Sequence, residues 1–291
     1  MNGVIVIDKP AGLTSHDVVN RVRTVLGQRA VGHLGTLDPS ATGVLPLVLG
    51  KLTRLAQFYN AAEKSYEGVI RFGFATDTYD AQGQPTGPLQ PVLFTRAQLN
   101  EVAGNFRGNI EQMPPPFSAK KIHGVAAYKL ARKKKHFQLK PVQVEIKEFR
   151  ITSFDRDCAA FRAQVSSGTY MRSVAHDIGQ QLGSSAHLEQ LRRTAVAEFT
   201  LADAHTLKEL EQAIERVPIA ELFVHARKLL PQFPSLTANE ESAAKIRLGQ
   251  AVNLPELSRA KQIKVFYGQS ELIAIATRIA GTLFHPKIVL G

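Results

Sequence analysis

The strongest constraint on the fold is the alternation of short apolar runs with helix-length amphipathic stretches. Val4 to Ile7 form the first apolar run, and the turn-rich segment K-P-A-G-L-T-S follows it. Ser15 can cap a helix that ends at Gly27, because valines recur there on one face. Strand-like runs return at 44–49 and 65–73. The chain therefore mixes strands and helices, and no internal repeat organises them.

Further elements follow along the chain. Thr95 and Gln98 form a capping box for a helix that reaches Ala103. Pro46 indicates an edge or irregular position for its strand, because proline cannot donate to a ladder. The pattern also predicts helices over 170–182, 187–193, 206–216 and 218–230, and strands near 142–149, 150–154 and 161–166.

The residue pattern of the sequence changes near residues 231–236, which read P-Q-F-P-S-L. A capping box at Thr237 and Glu240 then opens a short helix that ends at Gly249. Short β-rich runs separated by glycine, serine and proline continue from there. We therefore expect two domains, a larger one over 1–234 and a small β domain over 235–291.

The charge of the chain bears on its partners. Lysine and arginine number 36 and aspartate and glutamate 25, which gives a net charge of +11. This excess favours a polyanionic partner, although a generally basic protein would show it as well. No run approaches the roughly 18 apolar residues of a membrane span. The N-terminus carries no signal-peptide pattern, so we expect a cytoplasmic protein with no membrane partner.

Several familiar catalytic motifs are missing from the sequence. The single cysteine, Cys158, excludes an internal disulfide and cysteine-rich zinc sites, and no H-E-x-x-H is present. The segment G-K-L-T at 50–53 lacks the other residues of a phosphate loop. Neither G-x-G-x-x-G at a strand-to-helix turn nor G-x-S-x-G occurs. Metal, nucleotide-cofactor and serine-hydrolase chemistry therefore lack their usual marks.

What remains is a set of isolated polar side chains in glycine-bearing loops. Asp38 is the most notable, within G-H-L-G-T-L-D-P-S-A-T-G-V-L at 32–45. An aspartate before proline can simply cap a turn. A catalytic carboxylate also needs such a frame, because it must be held still. The residues alone leave both interpretations open.

Five segments together carry more information than any one of them. They read G-V-I-V-I-D-K-P-A-G-L-T-S, G-H-L-G-T-L-D-P-S-A-T-G-V-L, R-F-G-F-A-T-D-T-Y-D-A-Q-G, Q-M-P-P-P-F-S-A-K-K-I-H-G-V-A-A-Y-K-L-A-R, and S-S-G-T-Y-M-R-S-V-A-H-D-I-G followed by L-R-R-T-A-V. In this order they resemble, over nearly the full length, the TruB family of bacterial tRNA pseudouridine-55 synthases. The second segment is the most diagnostic.

The resemblance implies both a fold and a reaction. The fold is α+β, with a mixed, largely antiparallel sheet flanked by helices, followed by a small PUA-like β-barrel for RNA contacts. K-I-R-L-G-Q at 245–250 carries the second part. The reaction detaches uridine 55 of the tRNA T loop at its N1–C1′ bond and rejoins it through C5, without metal, nucleotide or redox cofactor. The implied partner is the T stem-loop of tRNA, and we expect a monomer.

The resemblance also implies a catalytic group. Asp38 matches the essential aspartate, Arg172 the arginine that pairs with it, and Asp80 the acid that orients this arginine. A nearby guanidinium holds a carboxylate ionised where water is excluded. Tyr66 matches a tyrosine that stacks on the target base and is placed to act as a base. Whether Asp38 attacks the base, attacks C1′ or assists glycal formation stays open.

Other positions match substrate contacts. His33 matches a histidine that touches the flipped nucleotides, and Tyr170 and Leu191 match pocket-lining residues. Lys9 has a structural or RNA-facing role. Segment 120–135 matches a loop over the T arm, although R-K-K-K at 132–135 can equally be a solvated helix face. The predicted RNA backbone contacts are Lys120, Lys121, Lys129 and Arg132.

The sequence departs from the family pattern in a few places. A-R is followed by K-K-K-H-F-Q-L-K-P, where the family usually has glycine and a Glu-Arg pair, so contacts of 132–141 are not predicted. Phe117 replaces a common tyrosine, Ala197 a common glycine, and Ser167 a frequent lysine.

Two rival functions stay open. One keeps the chemistry but acts on another RNA or with a guide RNA, against which the small C-terminal domain argues. The other is an RNA-binding or tRNA-folding module, against which the intact Asp38, Tyr66 and Arg172 argue.

Overall fold

The computed structural model describes residues 1–118, 120–122, 124–133, 137–214 and 216–291. Two lysines of the basic run R-K-K-K, Lys134 and Lys135, lie outside the described residues. The strands form two main sheets and a small two-stranded one.

The first main sheet contains ten strands and is mixed. Its order is β12-β1-β3-β10-β4-β9-β8-β5, with β2 on β3 and β11 on β10. The β1–β12 and β3–β10 pairs are parallel, and the other neighbours are antiparallel. The predicted α+β fold with a largely antiparallel sheet is therefore confirmed. The strands of this sheet, with the separate two-stranded pair β6 and β7, are β1 (Gly3–Lys9), β2 (Val31–His33), β3 (Thr42–Leu49), β4 (Lys64–Phe72), β5 (Gly108–Gln112), β6 (Lys121–Ile122), β7 (Val125–Ala126), β8 (Val142–Asp155), β9 (Cys158–Val165), β10 (Ala186–Val196), β11 (Phe199–Thr200) and β12 (Ala204–His205).

The second main sheet is a curled half-barrel of five strands in the order β13-β15-β16-β17-β14. Among the described residues its end strands, β13 and β14, do not pair with each other, so the expected barrel is open. The sheet begins at the change of residue pattern near residues 231–236. The division into two domains stays a prediction. Its strands are β13 (Ser235–Ala238), β14 (Val252–Asn253), β15 (Gln262–Tyr267), β16 (Glu271–Ala280) and β17 (Leu283–Val289).

Helices cover the sheets and their edges. In the part of the chain that the structure describes, none combines the length and the apolar character needed to cross a bilayer. Short 3₁₀ helices lie at Gly50–Leu55, Leu201–Asp203, Ile219–Leu222 and Ala226–Lys228. The α-helices are α1 (Ser15–Leu26), α2 (Ala56–Tyr59), α3 (Arg96–Gly104), α4 (Ala127–Arg132), α5 (Met171–Gln181), α6 (Leu207–Ala213) and α7 (Glu240–Arg247).

Alternate residues of a strand point to opposite faces of the sheet. In β1 and β3 both sets of residues are buried. One face packs under α1 and α6, through Ile5, Ile7, Leu45, Leu47, Val18, Val22 and Leu210. The other face packs on the second sheet, through Val4, Val6, Val44, Val48, Phe266, Ile275 and Ile288. Loops at the ends of these strands therefore leave from a rigid base.

Two helix predictions are wrong. Residues 187–193 belong to β10, which pairs with β4 on one side and with β3 on the other. Bulges between Leu188 and Gln190 and between Arg193 and Ala195 shift the register, so the period of two that marks a strand is lost from the sequence. Residues 218–230 form 3₁₀ turns, and Val224 donates its N–H to the Val4 carbonyl at 2.8 Å instead of to a helical partner.

Two predicted caps and one predicted edge also differ from the structure. Thr14 rather than Ser15 caps α1, and Asn239 rather than Thr237 caps α7. Pro46 lies in the interior of the sheet, since β3 pairs with β1 on one side and with β10 and then β2 on the other. Pro46 falls between the β10 and β2 pairings, where its carbonyl accepts from the Leu34 N–H at 2.9 Å and the ladder stops. Of the two predicted alternatives, the irregular position therefore fits and the edge does not.

Ala197, where the family often has glycine, offers a test of backbone strain. Its φ is 48°, in the left-handed region that disfavours a Cβ. We predict that Ala197→Gly raises the free energy of unfolding by about 0.5–1 kcal/mol in urea titrations. Ala280→Gly is the control, because this exposed residue of β16 has no positive φ. A loss of stability at Ala197 equal to that at Ala280 would contradict the prediction.

Asp177 on α5 makes stability depend on pH. Burial raises its pKa from 3.8 to about 6, so the folded state binds this proton more tightly than the unfolded state. Stability attributable to Asp177 therefore falls as pH rises from about 4 to 6, and solvent screening of this half-buried group limits the fall to about 1–2 kcal/mol. Asp177→Asn should stabilise the protein at about pH 7.5 and have little effect at about pH 4 in urea titrations. Exposed Asp155→Asn is the control, and equal effects of Asp177→Asn at both pH values would contradict this assignment.

Candidate active site

Asp38 lies in the loop between β2 and β3, and hydrogen bonds fix the backbone on both sides of it. The Ser15 hydroxyl accepts from the Leu37 N–H at 2.8 Å and donates to the Leu37 carbonyl at 3.1 Å. On the other side, the Gly12 N–H donates to the Pro39 carbonyl at 2.8 Å. Ser15, predicted as a helix cap, therefore connects α1 to the Asp38 loop.

Lys9 also holds this loop. The residue is fully buried, and its ammonium donates to the carbonyls of Pro10 (2.9 Å), Leu13 (2.6 Å) and Pro39 (3.2 Å). Burial lowers its pKa to about 8, and the charge of Asp38 opposes this effect. An ammonium has three N–H donors, and all three are used here. Of the two roles considered for Lys9, the structure favours the structural one over RNA contact.

Arg172 holds the carboxylate of Asp38 from the first turn of α5. Its Nε lies 2.9 Å from Oδ2 and its Nη2 3.2 Å from Oδ1, which is a two-pronged pairing. The arginine side chain is 6% exposed, whereas that of Asp38 is 38% exposed. The guanidinium is thus the buried support, and the carboxylate reaches the solvent side.

The remaining donors of Arg172 are also occupied. Nη1 donates to the Thr78 carbonyl and Nη2 to the Phe117 carbonyl, each at 3.0 Å. Asp80 Oδ2 lies 3.7 Å from Nη1, and its Oδ1 accepts from the Thr78 hydroxyl at 2.6 Å. The structure therefore brings the three residues predicted to act together, Asp38, Arg172 and Asp80, into one cluster.

The electrostatics of Asp38 differ in one respect from the expectation that Arg172 simply favours the ionised form. The pKa of Asp38 is raised, because burial outweighs the opposing charges of Arg172 and Lys9. Asp80 raises it further, since two carboxylates share one guanidinium. Although the Asp38 side chain is 38% exposed, surrounding protein removes part of the water around its carboxylate, which disfavours the charged form.

A cavity of about 280 Å³ opens beside Asp38. This volume is near the lower end for small-molecule sites, so it suits a ligand about as large as one nucleoside. Its walls include five of the predicted site residues, Asp38, Tyr66, Tyr170, Arg172 and Leu191. Lys64, which the sequence analysis did not single out, also lines it.

Tyr66 forms one wall from β4, and Arg193 stands directly opposite it on β10. Both are buried, and burial raises the pKa of the Tyr66 phenol while Arg193 opposes the rise. The sequence analysis missed Arg193 because it placed 187–193 in a helix. The signal was the pair R-R within L-R-R-T-A-V, since adjacent residues of a strand face opposite sides and one arginine must point inward.

Three other predicted contact residues have different surroundings. Tyr170 precedes α5, and the Gln112 side chain holds its backbone N–H and carbonyl at 2.8 and 3.1 Å. Leu191 reaches the cavity from β10. His33 ends β2 and is not among the cavity-lining residues, and its Nδ1 is buried without a hydrogen bond to a described residue. Burial lowers its pKa, which favours the neutral ring.

The predicted RNA-backbone contacts lie on the β6–β7 hairpin, on α4 and just before them. All four side chains belong to exposed residues: Lys120, Lys121, Lys129 and Arg132. This segment begins next to Phe117, whose carbonyl accepts from Arg172. Within the described ranges, no group of three or more histidine, cysteine, aspartate or glutamate side chains is arranged to hold a metal ion.

Two family models match the chain. The TruB family pseudouridylate synthase N-terminal domain matches residues 23–171. The tRNA pseudouridylate synthase B C-terminal domain matches residues 172–222. The two models meet within α5, so their boundary differs from the change of sheet at Ser235.

Proteins named tRNA pseudouridine synthase B are similar to this chain over nearly its whole length. The protein from Solibacter usitatus is 48% identical, with 100% of both chains covered. The one from Aquifex aeolicus is 39% identical, again with 100% of both chains covered. The one from Bacillus cereus is 37% identical, with 99% of this chain and 94% of the relative covered.

Solved structures share the fold. A structure of an H/ACA RNP bound to a substrate RNA containing 2′-deoxyuridine has a TM-score of 0.73 at 23% identity, covering 99% of this chain and 85% of the other. A Cbf5-Nop10-Gar1 complex has a TM-score of 0.73 at 25% identity with the same coverage. The matched models and the identity to full-length relatives show that this chain belongs to the TruB family of pseudouridylate synthases.

Proposed function

We propose that the chain converts uridine 55 in the T loop of tRNA to pseudouridine, with Asp38 as the catalytic carboxylate. The observation that supports this most is the placement of Asp38. A buried arginine holds the carboxylate at a cavity of nucleoside size, in a chain of the TruB family. Relatives named tRNA pseudouridine synthase B support tRNA as the substrate.

The size of the cavity supports a uridine in a loop as the substrate. It admits one nucleoside, so the target base must leave its stack to enter. Extrusion costs a few kcal/mol and least where the base is unpaired, as in a loop. Tyr66 lines the cavity, and stacking of a base on an aromatic ring contributes about 1–3 kcal/mol. Stacking therefore offsets part of the extrusion cost.

Asp38 is the group that acts on the extruded uridine. A carboxylate can form a covalent intermediate with the base or with C1′, or it can stabilise the charge that develops as a glycal forms. Each pathway needs the carboxylate held in one orientation, which the two contacts from Arg172 provide. Asp80 completes the support from the far side of the guanidinium.

RNA docking uses the positive charge of the chain. The segment that carries the exposed lysines and arginine, 120–132, begins three residues after Phe117, whose carbonyl accepts from Arg172. Cations at this position neutralise backbone phosphates of the T arm. In this proposal residues 1–234 form the catalytic domain and residues 235–291 a PUA-like RNA-binding domain, in a monomer that works in the cytoplasm.

Asp38→Asn tests the catalytic carboxylate. The asparagine keeps the shape but cannot act as an anionic group, so we predict a loss of activity of more than about 10³-fold with tRNA binding retained. The measurement is tritium release from an unmodified tRNA transcript labelled at uridine C5. Exposed Asp155→Asn is the control and should behave as wild type.

Each outcome of the Asp38 experiment is informative. Release of one equivalent by wild type and none by Asp38→Asn supports the proposal. Tight tRNA binding by wild type without release rejects the isomerase activity on this substrate and favours an RNA-binding module. Asp38→Asn that releases tritium at the wild-type rate rejects the assigned carboxylate.

Asp80→Asn tests whether Arg172 must be held from both sides. Loss of this charge removes the 3.7 Å ion contact with Nη1 and loosens the guanidinium. We predict that kcat falls about 10–100-fold while KM changes little, because a small displacement of a reacting group has this effect. Asp77→Asn is the matched control, since Asp77 lies in the same loop but accepts from the Gln84 N–H at 2.8 Å. Equal effects of the two substitutions would reject the role of Asp80.

A further inference from the structure

Arg193 is a fully buried cation that connects three parts of the cavity wall. Its Nε donates to the Val44 carbonyl of β3 at 2.8 Å. Nη1 donates to the Thr36 carbonyl at 3.1 Å and Nη2 to the Gly35 carbonyl at 3.0 Å, both in the Asp38 loop. On β4, Tyr66 stands directly opposite Arg193, so the phenol is the cross-strand neighbour of the guanidinium. One side chain thus ties β3 to the Asp38 loop and lies beside Tyr66 of β4.

The backbone around Arg193 is equally tight. Arg193 pairs with Tyr66 across the β10–β4 ladder and with Gly43 across the β10–β3 ladder. A Cβ at Gly43 would lie 2.1 Å from the Arg193 carbonyl oxygen, so the strands approach as closely as glycine allows. The backbone from which the Arg193 side chain extends is therefore held in place, as are the groups to which its guanidinium donates.

The charge of Arg193 distinguishes it from Arg172. Arg172 faces two carboxylates, whereas none of the ion pairs among the described residues includes Arg193. Its hydrogen-bond partners are three neutral carbonyls, and its cross-strand neighbour is the Tyr66 phenol. Carbonyls satisfy the N–H donors but leave the positive charge without a counter-charge. The phenol is the neighbour that can become negative.

We propose that Arg193 is a positioning residue for the isomerisation, one that holds the Asp38 loop and the Tyr66 hydroxyl together and stabilises negative charge on the phenol oxygen. This role rests on the function proposed above. When Tyr66 takes a proton from the reacting base, it must first be a phenolate, and a proton transfer of this kind needs an oxygen of tuned basicity. The buried guanidinium supplies that tuning through its positive charge, from the position directly opposite Tyr66 on β10.

Other charged and titratable groups face Tyr66, and their effects oppose one another. Burial and the Asp38 carboxylate raise the pKa of the phenol, and Arg193 lowers it. The remaining groups around the cavity are Lys64 on the same strand, and Tyr170 and Arg172 at the start of α5. The pKa of Lys64 is lowered to about 8 by burial and by Arg193. Arg193 is the cation directly opposite Tyr66 across the β10–β4 ladder.

The first test measures phenol ionisation without RNA. The chain has six tyrosines, so the ultraviolet titration of each protein is compared with that of its Tyr66→Phe counterpart. Arg193→Gln keeps a donor but removes the charge, and Arg193→Lys keeps the charge but has fewer donors. We expect Tyr66 to ionise at the lowest pH in wild type, at higher pH in Arg193→Lys, and at the highest pH in Arg193→Gln. Identical titrations in all three proteins would overturn the proposal.

The second test follows single-turnover tritium release against pH. Arg193→Gln should lower the rate about 10–100-fold near neutral pH, with tRNA affinity within about threefold of wild type. The loss should shrink as pH rises, because more of Tyr66 becomes ionised. Arg193→Lys should recover part of the rate. A loss that is the same at every pH indicates disturbed packing alone and rejects the proposal.

Lys264→Met is the matched control for removal of a buried cation. Lys264 is 2% exposed and donates to the carbonyls of Arg227 and Leu229 in the second sheet, far along the chain from the cavity. It should lower stability without moving the Tyr66 titration. If Arg193→Gln does not fold, the Arg193→Lys titration decides the question. Wild type that releases no tritium counts against the proposed function, while the phenol titration still tests the Arg193–Tyr66 interaction.

Discussion

The architecture of the site depends on hydrogen bonds from buried side chains that fix the loop around Asp38. Three buried side chains supply them: Lys9 at Pro39, Ser15 at Leu37 and Arg193 at Gly35 and Thr36. Buried carbonyls need such donors, because each unmade hydrogen bond costs about 1–3 kcal/mol. A short loop without regular structure therefore has a single conformation. A carboxylate held in this way needs no reorganisation when a substrate arrives.

Two buried arginines support the Asp38 loop and act differently because their partners differ. Arg172 shares its charge between Asp38 and Asp80, so carboxylates balance most of it. Arg193 donates to carbonyls and lies across the ladder from the Tyr66 phenol, so its charge stays available to a transient anion. In the isomerisation proposed above, charge develops on both the sugar and the base. The two arginines can then each stabilise one of these charges.

The sequence predicts functional residues that belong to a short motif. It does not predict those whose partners lie far away in the sequence. Asp38, Arg172 and Asp80 were found through motif resemblance, and the capping box at Thr95 through a local rule. Arg193 was missed because the bulges of β10 erase the alternation that marks a strand, and its partner Thr36 lies 157 positions away. Ser15 was assigned a local capping role, although its hydroxyl bridges to Leu37 instead. In each case tertiary packing decides the role of a side chain for which the local pattern allows another.

The position of Phe117 links RNA docking to chemistry. Nη2 of Arg172 donates both to the Phe117 carbonyl, at the root of the basic segment, and to Asp38 Oδ1. The segment is tied back at the same place, since the Tyr128 N–H donates to the Ser118 carbonyl at 3.0 Å. Any displacement of its root therefore changes a bond of the guanidinium that orients the carboxylate. In the proposed function, phosphate contacts on this segment are therefore coupled to the orientation of Asp38 through one nitrogen atom, so that a correctly docked RNA and an aligned carboxylate stabilise each other.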